Sequence, residues 1–107
     1  MKHIVNKKCV PRGYAAITWL PCLAFYASEE ARTERCMRHE SIHGKQQAEM
    51  LIVFFYLFYG FEWFLKLFKH GLNGAYRNIS FEREAYQNEM NVDYLKKRKT
   101  FSWIKFI

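Results

Sequence analysis

The stretch RHESIHGKQQ, residues 38–47, places two histidines four residues apart and a glutamate directly after the first. On a helix, residues i and i+4 lie one turn apart on the same face. His39 and His43 would then present both imidazoles to one point, at a separation that a tetrahedral zinc ion can bridge. Glu40 would lie beside the ion and take a proton from water whose pKa the metal lowers. The stretch therefore predicts a helix with the HExxH zinc motif, the alternative being a solvated helix face that happens to carry two histidines.

The residues around this stretch favour a long helix. Ser28 is followed by two glutamates, and a capping hydroxyl with acids in the first turn predicts a helix that starts at Glu29. Gly44 need not end it, since a single glycine is tolerated inside a helix. We therefore expect residues 28–69 to form one bent helix or two abutting helices.

The N-terminal segment 14–27, YAAITWLPCLAFYA, is rich in strand formers and is interrupted by Pro21. It predicts two short strands, as a hairpin or an extended pair, with the proline at an edge or a bend. The central proline and the many aromatic and β-branched residues also argue against a cleaved signal peptide.

After the long helical segment, HGLNGAYRN, residues 70–78, has the composition of a loop. Ser80 then predicts a capped helix over 80–99, with acids early and bases late as the helix dipole prefers. The tail 100–107 is aromatic and basic, and we expect it to pack back onto the domain or rest on a surface. The fold class expected is mainly α with a short N-terminal β hairpin or extended pair (α+β), in a single domain over 1–107.

Composition narrows the possible partners. The chain has 17 Lys and Arg against 10 Asp and Glu, a net charge of +7 that favours anionic partners such as nucleic acid, acidic lipid or acidic peptide. No recognised nucleic-acid module accompanies this charge, so specific nucleic-acid binding is not expected. Three cysteines without CxxC spacing indicate neither a disulfide framework nor a cysteine zinc knuckle, and they fit an intracellular setting.

A catalytic zinc site needs a third protein ligand. His70 borders the predicted loop and His3 lies near the chain end, which leaves Glu82 and Glu84 as the stronger candidates. These two glutamates would lie about 200° apart around a helix, so only one of them can face the metal.

HESIH, followed some forty residues later by FEREAY, resembles the motif pair of gluzincin metallopeptidases. The segment EREA is similar to the ExxAD segment of the membrane-associated heat-shock and CAAX-processing proteases, and small bacterial proteins carry the same pair. The resemblance spans residues 38–90. It implies Glu82 as the third ligand, with Ala85 at the alanine position, whereas Tyr86 stands where the family has an aspartate that supports the ligands.

The resemblance also implies a minimal gluzincin-like helical core that binds Zn²⁺ and hydrolyses a peptide or protein substrate, with Glu40 as general base. Tyr86, Tyr76 and Arg77 are candidate donors to the developing oxyanion, and the residues do not rank them. An extended peptide could bind along the edge of the strand-forming segment 14–27.

The stretch MLIVFFYLFYGF, residues 50–61, carries no charge but is too short to cross a bilayer. Extension to Phe68 admits Glu62 and Lys66, an i,i+4 pair expected on an exposed helix face. We expect a buried core helix here, with a membrane-embedded or interfacial helix as the alternative.

The cluster KKRK, residues 96–99, lies just before an aromatic tail. It favours contact with an anionic membrane surface, or else it is a solvated helix end. A non-enzymatic basic domain that binds a membrane surface or a protein, with a structural or vestigial metal site, is therefore the second functional hypothesis. Either hypothesis is compatible with a place at the cytoplasmic membrane.

Overall fold

A computed structural model describes residues 1–107 as a small N-terminal sheet followed by helices, which confirms the expected mainly α fold with a short β region. The strands are β1 (Lys2–Val5), β2 (Ala16–Leu20) and β3 (Leu23–Tyr26), and the helices are α1 (Glu34–Glu49), α2 (Val53–Asn78), α3 (Ser80–Asn88) and α4 (Tyr94–Lys97). Two 3₁₀ helices lie at Lys7–Cys9 and Ser102–Phe106.

The predicted hairpin is present. Strands β2 and β3 pair antiparallel, and Pro21 lies in the two-residue turn between them. Strand β1, which the sequence did not predict, pairs parallel to β3, so the sheet order is β1-β3-β2. Strand β2 is therefore an edge strand, and α1 packs against it.

Helix α1 begins five residues later than predicted, at Glu34 rather than Glu29. Thr33 is the N-cap, and its hydroxyl accepts a hydrogen bond from the Cys36 N–H at 3.1 Å. The Ser28 hydroxyl instead accepts from the Ala31 N–H at 3.2 Å. The prediction of a start at Ser28 was wrong because that hydroxyl closes a separate turn before the helix.

Gly44 lies inside α1, as expected, and the helix needs it there. A Cβ at this position would lie 2.7 Å from the carbonyl oxygen of Pro21, so the glycine allows the hairpin turn to approach the helix. The helix ends at Glu49, and Leu51 and Ile52 both adopt positive φ. This link turns the chain by 112° into α2, so the region forms two abutting helices.

Helix α2 continues through the segment 70–78, where a loop was predicted. Only Gly71 departs from helical geometry, with φ 74° and ψ −176°, and it kinks the helix. The Asn78 side chain donates to the carbonyl oxygen of Gly74 at 2.7 Å. The loop prediction was wrong because one glycine absorbs the change of direction and the other polar residues fit the helix.

Helix α3 begins at Ser80, but the serine hydroxyl does not cap it. The carboxylate of Glu62, on α2, accepts from the Ser80 N–H at 2.9 Å and also from its hydroxyl. The helix ends at Asn88, so a single helix over 80–99 was wrong. A turn in which the Asn91 side chain accepts from the Asp93 N–H separates α3 from α4.

The main apolar core lies where α2, α3 and the tail meet. It consists of Met50, Phe55, Ile79, Phe81 and Trp103, with Tyr59 and Trp63 packed against it. Trp103 belongs to the second 3₁₀ helix, so the tail packs back onto the domain.

Most of α2 is not buried, which corrects the prediction of a core helix. Only Phe55 and Ala75 are buried along its length, while Phe61 is 59 % and Phe68 78 % exposed. Glu62 and Lys66 do pair, at 3.1 Å, but on the side that faces the protein rather than on the exposed side. No helix by itself has the length and apolar composition of a membrane span; α1 and α2 meet that test only when taken together across their sharp bend.

Candidate metal centre

Helices α1 and α3 bring three metal-ligand atoms to one buried point. His39 Nε2 and His43 Nε2 lie 3.2 Å apart, and each lies 3.2 Å from Glu82 Oε1. The two histidines are one helical turn apart on α1, and Glu82 lies in the first turn of α3. All three residues are buried.

The spacing of these atoms fits a metal ion. Zinc bonds of about 2.0–2.1 Å in tetrahedral geometry place neighbouring ligand atoms about 3.3 Å apart. Three donors that are mutually separated by 3.2 Å match this value closely. The group His39, His43 and Glu82 could therefore hold a metal ion.

Glu84 has a different role from Glu82. It is fully buried on the other side of α3, where Arg98 Nε donates to it at 2.5 Å and the Tyr94 hydroxyl at 2.6 Å. Burial alone would raise the pKa of Glu84, but the hydrogen bonds from Arg98, Tyr94 and Gln46 outweigh it and lower the pKa below its usual value. Glu84 thus neutralises Arg98 and is absent from the metal cluster.

The other two candidate ligands also lie elsewhere. His3 is on β1, and its Nδ1 lies 2.6 Å from the Tyr26 hydroxyl. His70 is exposed near the kink of α2. Neither belongs to the cluster around Glu82.

Each histidine of the cluster is oriented by a hydrogen bond at its other ring nitrogen. His39 Nδ1 lies 2.7 Å from Glu89 Oε2, and His43 Nδ1 lies 2.8 Å from Gln46 Oε1. The amide nitrogen of Gln46 donates to the Phe81 carbonyl at 3.0 Å, which directs its oxygen toward His43. Since both partners accept, each Nδ1 carries the proton and each Nε2 is directed to the cluster, an arrangement typical of metal-binding histidines.

The carboxylate that contacts His39 comes from Glu89 and not from position 86, where the sequence has Tyr86. The Tyr86 ring instead packs edge-on against His39, with ring centroids 4.5 Å apart. Glu89 comes one turn after Tyr86 and seven residues after Glu82, so it continues the same side of α3.

Glu82 is held in place from α2 as well. The Tyr59 hydroxyl donates to Glu82 Oε2 at 2.8 Å, which leaves Oε1 to face the histidines. Burial would raise the pKa of Glu82, but His43 and His39 outweigh it and lower that pKa well below the usual range. Burial would likewise lower the pKa of His43, yet the Glu82 carboxylate dominates and raises it to about 9. The Glu82 carboxylate therefore favours positive charge on the neighbouring imidazole.

Glu40 lies next to the first ligand and is buried. The Thr18 hydroxyl, on β2, lies 2.7 Å from Glu40 Oε1 and 3.0 Å from the Glu40 carbonyl oxygen, and it can donate to either. This contact fixes the carboxylate against the edge strand. Glu40 and the three cluster residues line the same cavity.

That cavity has a volume of about 1320 Å³ and is walled by the metal cluster, by β2 and the residues before it, and by α2. Tyr76, Arg77 and Tyr86, the three candidate oxyanion donors, all line it. The Tyr76 and Tyr86 hydroxyls lie 3.4 Å apart, and the Arg77 guanidinium stacks 4.0 Å above the Tyr86 ring. Burial raises the pKa of both tyrosines, so both hydroxyls stay protonated and can donate hydrogen bonds.

Four residues of the site escaped the sequence analysis: Thr18, Gln46, Tyr59 and Glu89. Gln46 and Glu89 do have a sequence signal, because each follows a ligand at helical spacing, i+3 from His43 and i+7 from Glu82. Thr18 and Tyr59 come from other elements and have no such signal.

Comparison with family models, with curated proteins and with solved structures finds no match to this chain. The candidate metal site therefore rests on the chemistry and geometry of its own residues.

Proposed function

We propose that the protein is a zinc-dependent metallopeptidase. The observation that supports this most strongly is the common cavity: a buried carboxylate, Glu40, faces the space next to a buried ligand group of two imidazoles and one carboxylate. A structural metal site has no need of an open cavity or of an uncoordinated acid beside it, whereas hydrolysis needs both.

Zinc is the metal that fits this donor set best. Two imidazole nitrogens and one carboxylate oxygen form the three-ligand set of several catalytic zinc sites. Magnesium and calcium prefer all-oxygen sites, so the two histidines argue against them. When bound, zinc would supply Lewis acidity, which lowers the pKa of water and polarises a carbonyl group.

The residues of the chain supply the proton transfers and the positioning. Glu40 would accept the proton of the attacking water and deliver it to the leaving amine. Thr18 engages only Oε1 of Glu40, so the second carboxylate oxygen is available for this step. Tyr76 and Tyr86 are protonated donors in the cavity that could stabilise negative charge on the former carbonyl oxygen.

An edge strand in the wall of the cavity supports a peptide as the substrate class. Strand β2 is an edge strand, and its residues Ala16 to Thr18 line the cavity. The Thr18 carbonyl accepts from Gln47 on the side away from β3, and backbone direction alternates along a strand, so Ala16 also points its N–H and C=O toward the open edge. An extended peptide could pair with the N–H and C=O of Ala16, since the Thr18 carbonyl already accepts from Gln47 and Tyr56.

The test is the variant Glu40→Gln, compared with Glu30→Gln as a matched control at an exposed glutamate. Zinc-loaded protein is incubated with a mixture of unstructured peptides, and cleavage is followed by mass spectrometry. Glu40→Gln should bind zinc as tightly as the unmodified chain but cleave at least about 100-fold more slowly, as expected when a general base is removed. Equal cleavage rates for Glu40→Gln and Glu30→Gln would refute the assigned base, and no cleavage by the unmodified zinc-loaded chain would refute the activity.

A further inference from the structure

One face of α2 is apolar and turned to solvent along the straight part of the helix. At 100° per residue, its exposed apolar side chains fall within a stripe about 120° wide. These residues, called the α2 stripe below, are Phe54, Leu57, Phe58, Phe61, Phe64, Leu65 and Phe68. No polar or charged residue interrupts the stripe, and each member is at least 46 % exposed.

Three polar residues of α2 that lie outside the stripe contact the rest of the protein. Glu62 accepts hydrogen bonds at the start of α3, and Lys66 donates to the Asn78 carbonyl oxygen. Tyr59 reaches the metal cluster from the same side. The helix is therefore amphipathic, and its apolar face is turned outward. A surface helix of a water-soluble domain usually has the opposite orientation, with its apolar face toward the core.

The C-terminal tail extends this apolar surface. Phe58 of the stripe contacts the ring of Trp103, with centroids 6.4 Å apart. The residues beside Trp103 place further apolar side chains in solvent, with Ile104 52 % and Ile107 68 % exposed. The tail is therefore anchored against the helix through Trp103, which is itself buried.

Exposed cations are found in the C-terminal segment and at the end of the stripe. Segment 94–107 contains no acidic residue, and Arg98 is its only cation consumed by a buried ion pair. Its remaining cations are all exposed: Lys96, Lys97, Lys99 and Lys105. Lys69, also exposed, follows Phe68 on α2 and lies at about 20° from the margin of the stripe.

We propose that the α2 stripe and the tail form a docking surface for an anionic lipid bilayer, with α2 lying in the plane of the interface. An apolar helix face in a protein with exposed lysines, one of them (Lys69) at the margin of that face, fits an interfacial amphipathic helix, in which the apolar side chains enter the acyl region and the cations meet acidic headgroups. A second copy of the chain is less favoured, although interface cores are also apolar, because it would bring two chains of net charge +7 together, whereas an acidic bilayer attracts that charge.

The length of α2 and the polarity of its inner face indicate that the helix lies parallel to the membrane surface rather than across the bilayer. The straight part of α2, from Val53 to His70, is about 27 Å long, which is short of a bilayer core, and its inner face carries Glu62 and Lys66. The cavity of the metal cluster is walled by the inner face of α2. Docking through the outer face therefore leaves the cavity next to the membrane surface and free of lipid. This inference does not depend on the proposed peptidase activity.

The experiment measures co-sedimentation of the full chain with vesicles of phosphatidylcholine alone and of equal parts phosphatidylcholine and phosphatidylserine. We expect binding to the acidic vesicles that falls as salt is added. The double variant Phe61→Glu, Leu65→Glu should lose at least about 100-fold in partitioning, since it places two charges in the apolar stripe. A matched control, Met90→Glu with Val92→Glu, alters two equally exposed apolar residues in the α3–α4 link and should bind normally.

A second variant set tests the exposed lysines separately. Neutralising Lys96, Lys97 and Lys99 to Gln should weaken binding to acidic vesicles by about fivefold for each lysine, and should not change binding to neutral vesicles. Circular dichroism and thermal unfolding check that each variant folds. Three results would overturn the proposal: no binding to acidic vesicles at low salt, equal losses for the stripe and control pairs, or a folded unmodified chain that is a dimer, becomes monomeric in the stripe variant and never binds vesicles.

Discussion

Replacement of Glu89 should weaken zinc binding although Glu89 is not itself a ligand. Its Oε2 accepts from His39 Nδ1 at 2.7 Å, and its side chain is only 15 % exposed, so water does not readily replace it. Loss of a carboxylate that orients a metal-binding histidine costs about 10- to 100-fold in metal affinity, or about 1.4–2.7 kcal/mol. We expect a loss of this size for Glu89→Ala.

Glu89→Gln should lose less. The amide oxygen can still accept from His39, but the hydrogen bond is no longer charge-assisted, and a charged bond is roughly twice as strong as a neutral one. The expected cost is therefore about half that of the alanine variant, or about 3- to 10-fold in affinity.

The assay is competition for zinc against a chromophoric chelator, with Glu30→Ala as the control because Glu30 is exposed and has no side-chain hydrogen bond. Thermal unfolding of the metal-free variants shows whether the fold is intact. The reasoning would be refuted if Glu89→Ala bound zinc within about twofold of the control, or if the glutamine variant lost more affinity than the alanine variant.

Two further predictions concern the residues that support the site. Arg98→Met should lower the free energy of unfolding of the metal-free protein by about 3–5 kcal/mol in urea titrations, because it leaves two buried carboxylates without their cation. The control, Lys97→Met, should change this free energy little, and similar values for both variants would contradict the role given to Arg98. Thr18→Val should slow peptide cleavage by about tenfold, because Glu40 loses a hydroxyl donor, and should leave zinc affinity unchanged. An unaltered rate of cleavage would show that this contact does not position Glu40.

The convergence of the two candidate ligand histidines could be predicted because its geometry is local. His39 and His43 need only one helical turn to converge, and the sequence fixes that spacing. Glu82 and Glu84 lie on different sides of α3, and no local sequence pattern decides which of these sides faces α1. The choice depends on Arg98, more than ten residues later, which takes Glu84 as its buried partner.

The ends of the helices were harder to predict, because neighbouring residues can be equally good candidates for the helix cap. Ser28 and Thr33 are both hydroxyl residues followed directly by glutamate, so each could cap a helix. The structure uses Thr33. Near Gly71, the composition of a loop was present, but one residue with positive φ was enough to turn the helix and the following residues stayed helical.

The environment of α2 could not be predicted from its composition. An uncharged run of aromatic and aliphatic residues is equally compatible with a protein core and with lipid, because both are apolar. The informative feature is that Glu62 and Lys66 fall outside the stripe that contains Phe61 and Leu65, so that the helix has two distinct faces. Which face meets the protein depends on the partners of Glu62 at the start of α3.

The central claim is that His39, His43 and Glu82 bind one zinc ion, and its most direct test is the metal content of the loaded protein after dialysis against a weak chelator. Elemental analysis should give about one zinc per chain for the unmodified protein and close to none for the His39→Ala, His43→Ala double variant. Glu84→Gln, checked for folding by circular dichroism, should retain its zinc, whereas Glu82→Gln should lose most of it. Full zinc retention in the double histidine variant would contradict the account.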